Sequence, residues 1–236
     1  MKKVLICTPM YNSVCTAGYT ISMMNLLNSL VGNEKISINT LFALNESLIP
    51  KTRSLMVHSF LKSDFTHLLF IDSDISFEAR ELIHMIENAK DITCGIYPKK
   101  SIKWENVHSA VSSGVNHSLL PLHASEFLYH PIPEAHKEED GLIEVDRAAT
   151  GMMLISRHVF ETLSDKVPVF KLENEQQNIS MKDDEIKEFF YTTTDPKTNI
   201  FLHEDFNFCR LWKEAGGKIY ASTTMKLQHI GTHVYG

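Results

Sequence analysis

The sequence predicts one α/β domain in which helices flank a mostly parallel central sheet. Three observations support this class. Over residues 1–100, short apolar runs of strand length alternate with longer segments of helical period. The chain has 236 residues, which suits one sizeable domain. Hydrophobic residues make up 43% and charged residues 22%, the proportions of an ordinary globular protein with a packed core.

The first elements follow from the apolar pattern in chain order. Residues 4–7 form a continuous apolar run, which predicts a buried strand closed by a loop that starts at Thr8 and Pro9. Residues 17–30 carry Ile21, Met24, Leu27 and Leu30 at helical spacing, which predicts a helix. Residues 36–44 alternate as a strand does, and Pro50 suits the first turn of a helix through residue 61.

Two further strands are predicted over residues 67–71 and 92–95, on either side of a helix over residues 77–89. This alternation implies right-handed crossovers and a mostly parallel sheet. Between residues 101 and 144 it stops, and we expect loops and short antiparallel strands. It resumes with a strand over 151–155 and a helix over 157–163. A last helix over 203–215, closed by glycines at 216 and 217, precedes strands over 218–221 and 225–229.

Charge and cysteine content exclude several classes. A net charge of −6 and a pI near 6.0 argue against a surface dedicated to nucleic acid. The cysteines contain no Cys-x-x-Cys pair, so neither a zinc site nor a dense disulfide framework is predicted, and reduced thiols are expected: Cys7, Cys15, Cys94 and Cys209. The apolar run at the N-terminus is too short for a signal peptide or a transmembrane segment.

Two carboxylates, Asp72 and Asp74, follow the predicted strand over residues 67–71. Alternation along an extended chain points both to one side, with Ser73 opposed. Oxygen ligands at the carboxyl edge of a central strand suit Mg²⁺ or Mn²⁺ bridging a diphosphate. The competing interpretation is that these residues only cap the following helix.

A second acidic pair, Glu204 and Asp205, begins the last predicted helix. The helix dipole holds such carboxylates ionised, and one of them can remove a proton from an acceptor hydroxyl. For the pair taken alone, capping with dipole complementarity is the favoured interpretation. Near the end of the chain, His229 or His233 can supply a further metal ligand, where a structural role is the alternative.

Together, the order and spacing of these features resemble the GT-A class of glycosyltransferases over nearly the whole chain. The resemblance implies a Rossmann-like GT-A fold, a single domain over 1–236 with a nucleotide-binding half at 1–100 and an acceptor-binding half at 101–236 that includes a small antiparallel region. More narrowly, residues 50–54, 95–99 and 149–155 resemble small viral and phage-type glycosyltransferases, including glycan-building enzymes of large algal viruses. A cytoplasmic location, in a bacterium or a virus-infected host cell, is expected.

The resemblance assigns roles to the acidic residues. Asp74 and a C-terminal histidine, His229, would bind Mn²⁺ or Mg²⁺. Asp72 would lie near the ribose or support the metal, with Ser73 in the same donor-binding segment. Asp205 or Glu204 would be the catalytic base. The implied donor is a nucleotide-sugar, with UDP favoured, and the implied acceptor is a hydroxyl of a glycan or other molecule.

Further positions follow from the resemblance. Thr8, Pro9 and Tyr11 would line the base pocket, with Tyr11 stacking on uracil, although a strand-ending turn explains them equally. Arg53 would approach the base or phosphate unless it is an ordinary surface arginine. Lys99 and Lys100 would neutralise phosphate unless they are an ordinary solvated pair.

On the acceptor side, Gly151 would lie beneath the transferred sugar and Thr150 would contact sugar or acceptor. Trp104 would stack on a sugar face, or else pack against a small apolar cluster.

The predicted reaction is inversion at the anomeric carbon with Asp205 as base. Retention on the same fold remains an alternative. A nucleotidyltransferase is a second one, although the glycine-rich phosphate loop expected of it is absent before Gly18. An inactive sugar-binding module is the third, and the acidic residues that such a module would have lost are all present. The sequence leaves the sugar, the acceptor and the oligomeric state open.

Overall fold

The computed structural model describes residues 1–136, 140–172 and 184–232. Its α-helices are α1 (Ala17–Ser29), α2 (Ile49–Leu61), α3 (Ala79–Glu87), α4 (Trp104–Ser112), α5 (Leu120–His123), α6 (Arg157–Leu163) and α7 (Glu204–Glu214). Its strands are β1 (Lys2–Met10), β2 (Ile36–Leu44), β3 (His67–Ile71), β4 (Ile75–Phe77), β5 (Ile92–Gly95), β6 (Tyr129–Pro131), β7 (Leu142–Ala148), β8 (Met152–Ser156), β9 (Val169–Phe170), β10 (Ile186–Lys187), β11 (Thr193–Thr194), β12 (Phe201–Leu202), β13 (Ile219–Ser222) and β14 (Leu227–His229).

An eight-stranded sheet in the order β2-β1-β3-β8-β5-β13-β7-β6 is the centre of the fold. Strand β1 is parallel to β2 and β3, and β13 is parallel to β5. Strand β8 is antiparallel to both β3 and β5, and β7 is antiparallel to β13 and β6. Therefore β8 and β7 run one way and the other six of the eight strands run the opposite way. The predicted α/β class, with a mostly parallel central sheet flanked by helices, is confirmed.

Helices cover both faces of this sheet. Leu5 and Cys7 of β1 belong to one apolar cluster, together with residues of α2, α6 and α7. Val4 and Ile6 belong to a second cluster, together with residues of α1 and α3. Because alternate side chains of a strand point to opposite faces, β1 is buried on both sides. This explains why the central strands are continuous apolar runs in the sequence.

Several predicted elements match the structure and others do not. The strands over residues 36–44, 67–71 and 92–95 and the helix over 157–163 have the predicted bounds. The loop after β1 was predicted too early, because β1 continues through Thr8 and Pro9 to residue 10. Its pairing with β3 ends at Cys7, so the N–H that Pro9 lacks is not needed on that side.

The helix predicted from residue 17 is present as α1, but most of the apolar residues whose spacing indicated it do not face the core. Ile21, Met24 and Leu27 are exposed and Leu30 is partly buried, whereas Met23 and Leu26 are buried. The helix carries two interleaved apolar stripes, and spacing alone does not say which one faces the core. The prediction of loops and short strands alone over residues 101–144 is also wrong, because α4 and α5 lie there. Likewise, the helix predicted from residue 77 begins at Ala79, because β4 precedes it. In the described ranges, no helix is both long and apolar enough to cross a membrane.

Candidate active site

The first acidic motif forms a turn at the end of β3. The Ile75 N–H donates to the Asp72 carbonyl over 3.1 Å, and the Thr16 N–H donates to the Ser73 carbonyl over 2.9 Å. Because the strand ends at Ile71, the alternation expected for Asp72 and Asp74 does not apply. The prediction that both side chains point to the same side of an extended strand is therefore wrong. Asp72 and Asp74 lie in a turn, and their carboxylates have different partners.

Asp74 lies between two cationic or hydrogen-bonding groups. Its Oδ2 forms an ion pair with the Lys100 ammonium, and its Oδ1 is 3.4 Å from the His229 Nε2. Burial raises the pKa of Asp74, but the hydrogen bonds from His229 and Lys100 together outweigh burial and hold it below the usual value. Asp74 is therefore ionised at neutral pH and anchored at its backbone by the Ile230 N–H over 2.9 Å.

His229 is brought to Asp74 by the antiparallel pairing of β14 with β4, in which His229 is opposite Ile75. Its Nδ1 is 2.8 Å from the carbonyl oxygen of Pro98. A carbonyl only accepts hydrogen bonds, so Nδ1 carries a proton and donates it to Pro98. Nε2 is therefore the ring atom that faces the Asp74 carboxylate, either as a donor to it or with the lone pair that a metal ion would take.

The donor set of this corner is compatible with a divalent cation. A carboxylate oxygen suits Mg²⁺ or Mn²⁺, and an imidazole nitrogen moves the preference toward a transition metal such as Mn²⁺. Among the residues that the structure describes, no three His, Cys, Asp or Glu side chains are grouped so as to hold a metal ion. Asp74 and His229 therefore provide two protein ligands, and the remaining positions would fall to the bound substrate or water. The alternative ligand His233 lies outside the described residues.

Arg53 connects the two acidic motifs. It extends from α2 into the interior, is only 5% exposed, and has its guanidinium over the ring of Phe70. Its Nη2 donates to the Asp72 Oδ1 over 3.2 Å, and its Nε is 4.0 Å from the Glu204 Oε1. Arg53 is therefore not the ordinary surface arginine that the sequence left open as an alternative. The buried Nε has no hydrogen-bond partner among the described residues, although Glu204 is close.

Asp205 is the second residue of α7 and has an unusual environment. Burial, followed by the negative charge of Glu204, raises the pKa of Asp205 to about 6, while Arg53 acts in the opposite direction. Its Oδ1 accepts the Phe206 N–H over 2.7 Å. Asp205 thus accepts one N–H of the first turn of α7 and also has a pKa close to neutrality. A carboxylate with such a pKa is suited to accept a proton near pH 7.

Tyr97 and Gly151 close the site between these motifs. The Gly151 N–H donates to the Tyr97 hydroxyl over 2.9 Å, and the Gly151 carbonyl accepts the Asp72 N–H over 3.0 Å. A Cβ atom at position 151 would lie 2.4 Å from the Tyr97 hydroxyl and 3.0 Å from the Asp72 Oδ2. Only glycine fits this contact. Burial, then the charge of Asp72, raises the pKa of Tyr97, so its phenol stays neutral.

The other predicted residues have varied surroundings. Thr8 is buried and its hydroxyl is 2.8 Å from the Tyr19 hydroxyl, and Pro9 is buried beside it. Thr150 is buried too, and its carbonyl oxygen is 3.5 Å from the Arg53 Nη1. Tyr11 is 59% exposed in the 3₁₀ turn that follows β1.

Lys99 forms an ion pair with Glu126 over 2.7 Å, and it is the adjacent Lys100 that reaches Asp74. Trp104 is 64% exposed at the start of α4, which excludes the apolar-cluster role. Lys100 was predicted together with Lys99, and the structure shows which of the two contacts Asp74. Tyr97 is the residue of this site to which sequence reasoning gave no role, because the sequence carries no signal for which side chain of the segment after β5 turns inward.

Comparison with known proteins finds similarity in structure only. No protein-family model matches the chain, and no curated protein matches it in sequence. The crystal structure of GalNAc-T7 with UDP, GalNAc and Mn²⁺ is similar with a TM-score of 0.45 and 10% identity, over 98% of this chain and 44% of that chain. The structure of the inositol-1-phosphate CTP transferase from T. maritima is similar with a TM-score of 0.44 and 9% identity, over 98% of this chain and 89% of that chain.

This chain therefore spans less than half the length of the GalNAc-T7 chain. At identities and TM-scores this low, neither similarity says which reaction the chain performs.

Proposed function

We propose that this chain is a metal-dependent glycosyltransferase that transfers a sugar from a nucleotide-sugar, with UDP as the favoured nucleotide, to an acceptor hydroxyl. The observation that carries the proposal is the convergence of the two acidic motifs. Residues far apart in the sequence meet around the buried Arg53, whose guanidinium contacts Asp72 and approaches Glu204. Two separate helix caps would not need a shared buried cation, and buried charge clusters with perturbed pKa values are concentrated at functional sites.

Asp205 is the proposed base. Its Oδ1 already accepts the Phe206 N–H, so Oδ2 is the atom left for the acceptor hydroxyl. As Oδ2 takes the hydroxyl proton, the acceptor oxygen forms a bond to the anomeric carbon and the bond from that carbon to the diphosphate breaks. Attack from the side opposite the leaving group inverts the configuration. With a pKa of about 6, Asp205 is largely ionised at pH 7 and still basic enough to take the proton.

Asp74 and His229 are the proposed protein ligands of Mn²⁺ or Mg²⁺. A bound divalent cation supplies positive charge that stabilises the departing diphosphate. Lys100, which pairs with Asp74, supplies a further positive charge at the same corner. Tyr11, exposed just after β1, is the proposed stacking partner of the base, and Gly151 lets Tyr97 and Asp72 approach closely where a side chain would not fit.

The experiment is a panel of UDP-, GDP- and CMP-sugars, assayed for binding and for hydrolysis in Mn²⁺, in Mg²⁺ and with a chelator. We expect at least one UDP-sugar to be hydrolysed only when metal is present. If no nucleotide-sugar is bound or hydrolysed in any condition, the proposed function is wrong.

Variants separate the individual roles. Asp74→Ala should abolish metal-dependent donor binding, and Asp205→Asn should spare donor binding but reduce transfer by about 10²-fold or more, as loss of a general base does. Asp165→Ala is the matched control, because Asp165 is almost fully exposed. Full activity of Asp74→Ala would refute the metal assignment, and unchanged transfer by Asp205→Asn would move the base to another residue.

A further inference from the structure

Strand β2 forms one edge of the eight-stranded sheet and has none of the usual features that protect an edge. Among the described residues it pairs with β1 on one side, and no strand pairs with its other side. Its nine residues include no charged side chain and no proline, and its pairing with β1 is continuous without a bulge. The opposite edge, β6, is by contrast only three residues long and contains Pro131. A long, uncharged edge strand offers its outward backbone groups to another chain.

The backbone of β2 turns every second residue away from β1. The Lys2 N–H donates to the Lys35 carbonyl, and the Asn45 N–H donates to the Met10 carbonyl, so the odd-numbered residues of this segment face β1. Because the direction of the N–H and C=O groups alternates along a strand, the even-numbered residues point theirs outward. These residues are Ile36, Ile38, Thr40, Phe42 and Leu44.

Asparagine side chains accept two of these outward N–H groups in the single chain. The Ile36 N–H donates to the Asn33 Oδ1 over 2.9 Å, and the Thr40 N–H donates to the Asn39 Oδ1 over 2.9 Å. Such local bonds are the ones that an edge N–H forms when no strand lies beside it. Asn39 is exposed, so its side chain has room to turn away when a carbonyl of another strand takes its place.

The outward residues of β2 are complementary to themselves. In an antiparallel pairing of two copies about a two-fold axis through Thr40, Thr40 lies opposite itself, Ile38 lies opposite Phe42, and Ile36 lies opposite Leu44. Pairs of apolar side chains and Thr–Thr pairs both stabilise antiparallel strands. Each outward N–H then meets an outward C=O, which gives up to about ten hydrogen bonds between the copies.

Apolar side chains that the single chain leaves exposed lie on one face of this edge. Phe42 is 44% exposed and Leu44 is 56% exposed. They project on the same face as Ile38, because side chains two residues apart share a face, and Ile38 packs against the apolar cluster that contains residues of α1. Helix α1 itself exposes Ile21, Met24 and Leu27. A two-fold axis perpendicular to the sheet keeps both α1 helices on the same side, so the exposed apolar side chains of both copies gather on one side of the joint.

We propose that the chain forms a symmetric dimer in which the β2 strands of two copies pair antiparallel and join the two central sheets into one. A nine-residue strand is about 30 Å long, and a strand with one helix layer beside it is about 20 Å high. Each copy thus contributes roughly 600 Å², at the lower end of specific interfaces, which bury about 1,200–2,000 Å² in total. Two-fold symmetry uses both open edges at once, so assembly stops at the dimer. The inference does not depend on the proposed function.

A single cysteine on the axis tests the register. Thr40→Cys is made together with Cys15→Ser, which removes the exposed native thiol. Opposite residues in a hydrogen-bonded antiparallel pair have Cα atoms about 5.5 Å apart, which is within the roughly 4.4–6.8 Å of a disulfide. We therefore expect mild oxidation to convert most of the protein to a covalent dimer.

Ser37→Cys with the same Cys15→Ser change is the matched control. Ser37 is also exposed on β2, but it is three residues from the axis, so its two copies would lie about 20 Å apart and should not cross-link. Absence of a disulfide at Thr40, or equal cross-linking at both positions, would overturn the proposed register.

Sedimentation equilibrium of the unchanged chain over about 1–200 µM measures the assembly itself, and we expect a monomer–dimer equilibrium with a micromolar Kd. Phe42→Lys places a charge on the paired edge and should weaken the dimer by about 10-fold or more. Val111→Lys, the same kind of change at a 57% exposed apolar residue of α4, should leave the Kd within about twofold. Both variants are first checked by circular dichroism for the wild-type fold. A chain that stays monomeric over this range, an open-ended assembly, or a folded Phe42→Lys variant with the wild-type Kd would refute the dimer.

Discussion

Replacing Asp205 by Asn is expected to stabilise the folded chain at neutral pH. Burial and the charge of Glu204 raise the pKa of Asp205 from 3.8 to about 6. The proton is thus bound more tightly in the folded state, so this carboxyl favours folding below about pH 4, and that contribution is lost as the pH rises through about 6. The two pKa values differ by about 2, and each whole pKa unit corresponds to about 1.4 kcal/mol, so the ionised carboxyl lowers the free energy of unfolding by at most ~3 kcal/mol.

Asn does not ionise, and its side-chain oxygen can still accept the Phe206 N–H. Urea unfolding of the wild type and Asp205→Asn, at about pH 4 and about pH 7.5, measures the effect. At the higher pH we expect the variant to be more stable than the wild type by up to ~3 kcal/mol, which is about 6–12 °C in Tm for a chain of this length. At the lower pH the two proteins should have nearly equal free energies of unfolding.

The control is Glu161→Gln, at an exposed position of α6, whose free energy of unfolding should stay within about 0.5 kcal/mol of the wild type at both pH values. If Asp205→Asn is no more stable than the wild type at the higher pH, the carboxylate is not held in an unfavourable environment. The same conclusion follows if its advantage is equal at both pH values. Either result would contradict the proposal that Asp205 is a base with a raised pKa.

Three further changes test the rest of the site. Gly151→Ala should lower the free energy of unfolding by ~1–3 kcal/mol, because its Cβ would lie 2.4 Å from the Tyr97 hydroxyl; an unchanged urea midpoint would contradict that contact. His229→Ala should weaken Mn²⁺ binding, measured calorimetrically, by roughly 10-fold or more; unchanged affinity would remove this ligand. Arg53→Met should move the acid limb of the activity profile above pH 6, since Arg53 lowers the pKa of Asp205; an unmoved limb would show that the two charges are uncoupled.

The central strands were predictable because of how they are buried. Strands β3 and β5 lie inside the sheet with helices on both faces, so each is a continuous apolar run that ends where burial ends. Helix α4 could not be predicted in the same way. Its Trp104, Val107 and Val111 recur at helical spacing, but Trp104 and Val111 are exposed and Ala110 is the buried residue, so the helix shows no strong core-facing pattern. The sequence also carries no signal for direction, and the antiparallel insertion of β8 between β3 and β5 was therefore not predicted.

Most residues of the candidate site were predictable from the sequence, but most of their contacts were not. Asp74 and His229 were predicted together, and the pairing of β14 with β4 brings them together. Arg53 was selected for contact with a base or phosphate, but its side chain contacts Asp72 inside the protein. Local sequence cannot predict this, because a buried arginine is stable only where carboxylates from distant segments meet it. The turn at Asp72 likewise depends on Thr16, a residue on another segment.

The buried guanidinium is what weighs against the capping interpretation of the two acidic motifs. Moving an arginine out of water costs several kcal/mol even after relaxation, and Asp72 and Glu204 offset that cost only in part, since the Nε remains without a hydrogen bond. Helix capping alone needs no such cluster. Burial and Glu204 raise the pKa of Asp205 in the same cluster, and Arg53 opposes this shift without cancelling it. Perturbed titratable groups of this kind are concentrated at functional sites, so the buried Arg53 and the basic Asp205 together favour the interpretation of the cluster as an active site over two separate helix caps.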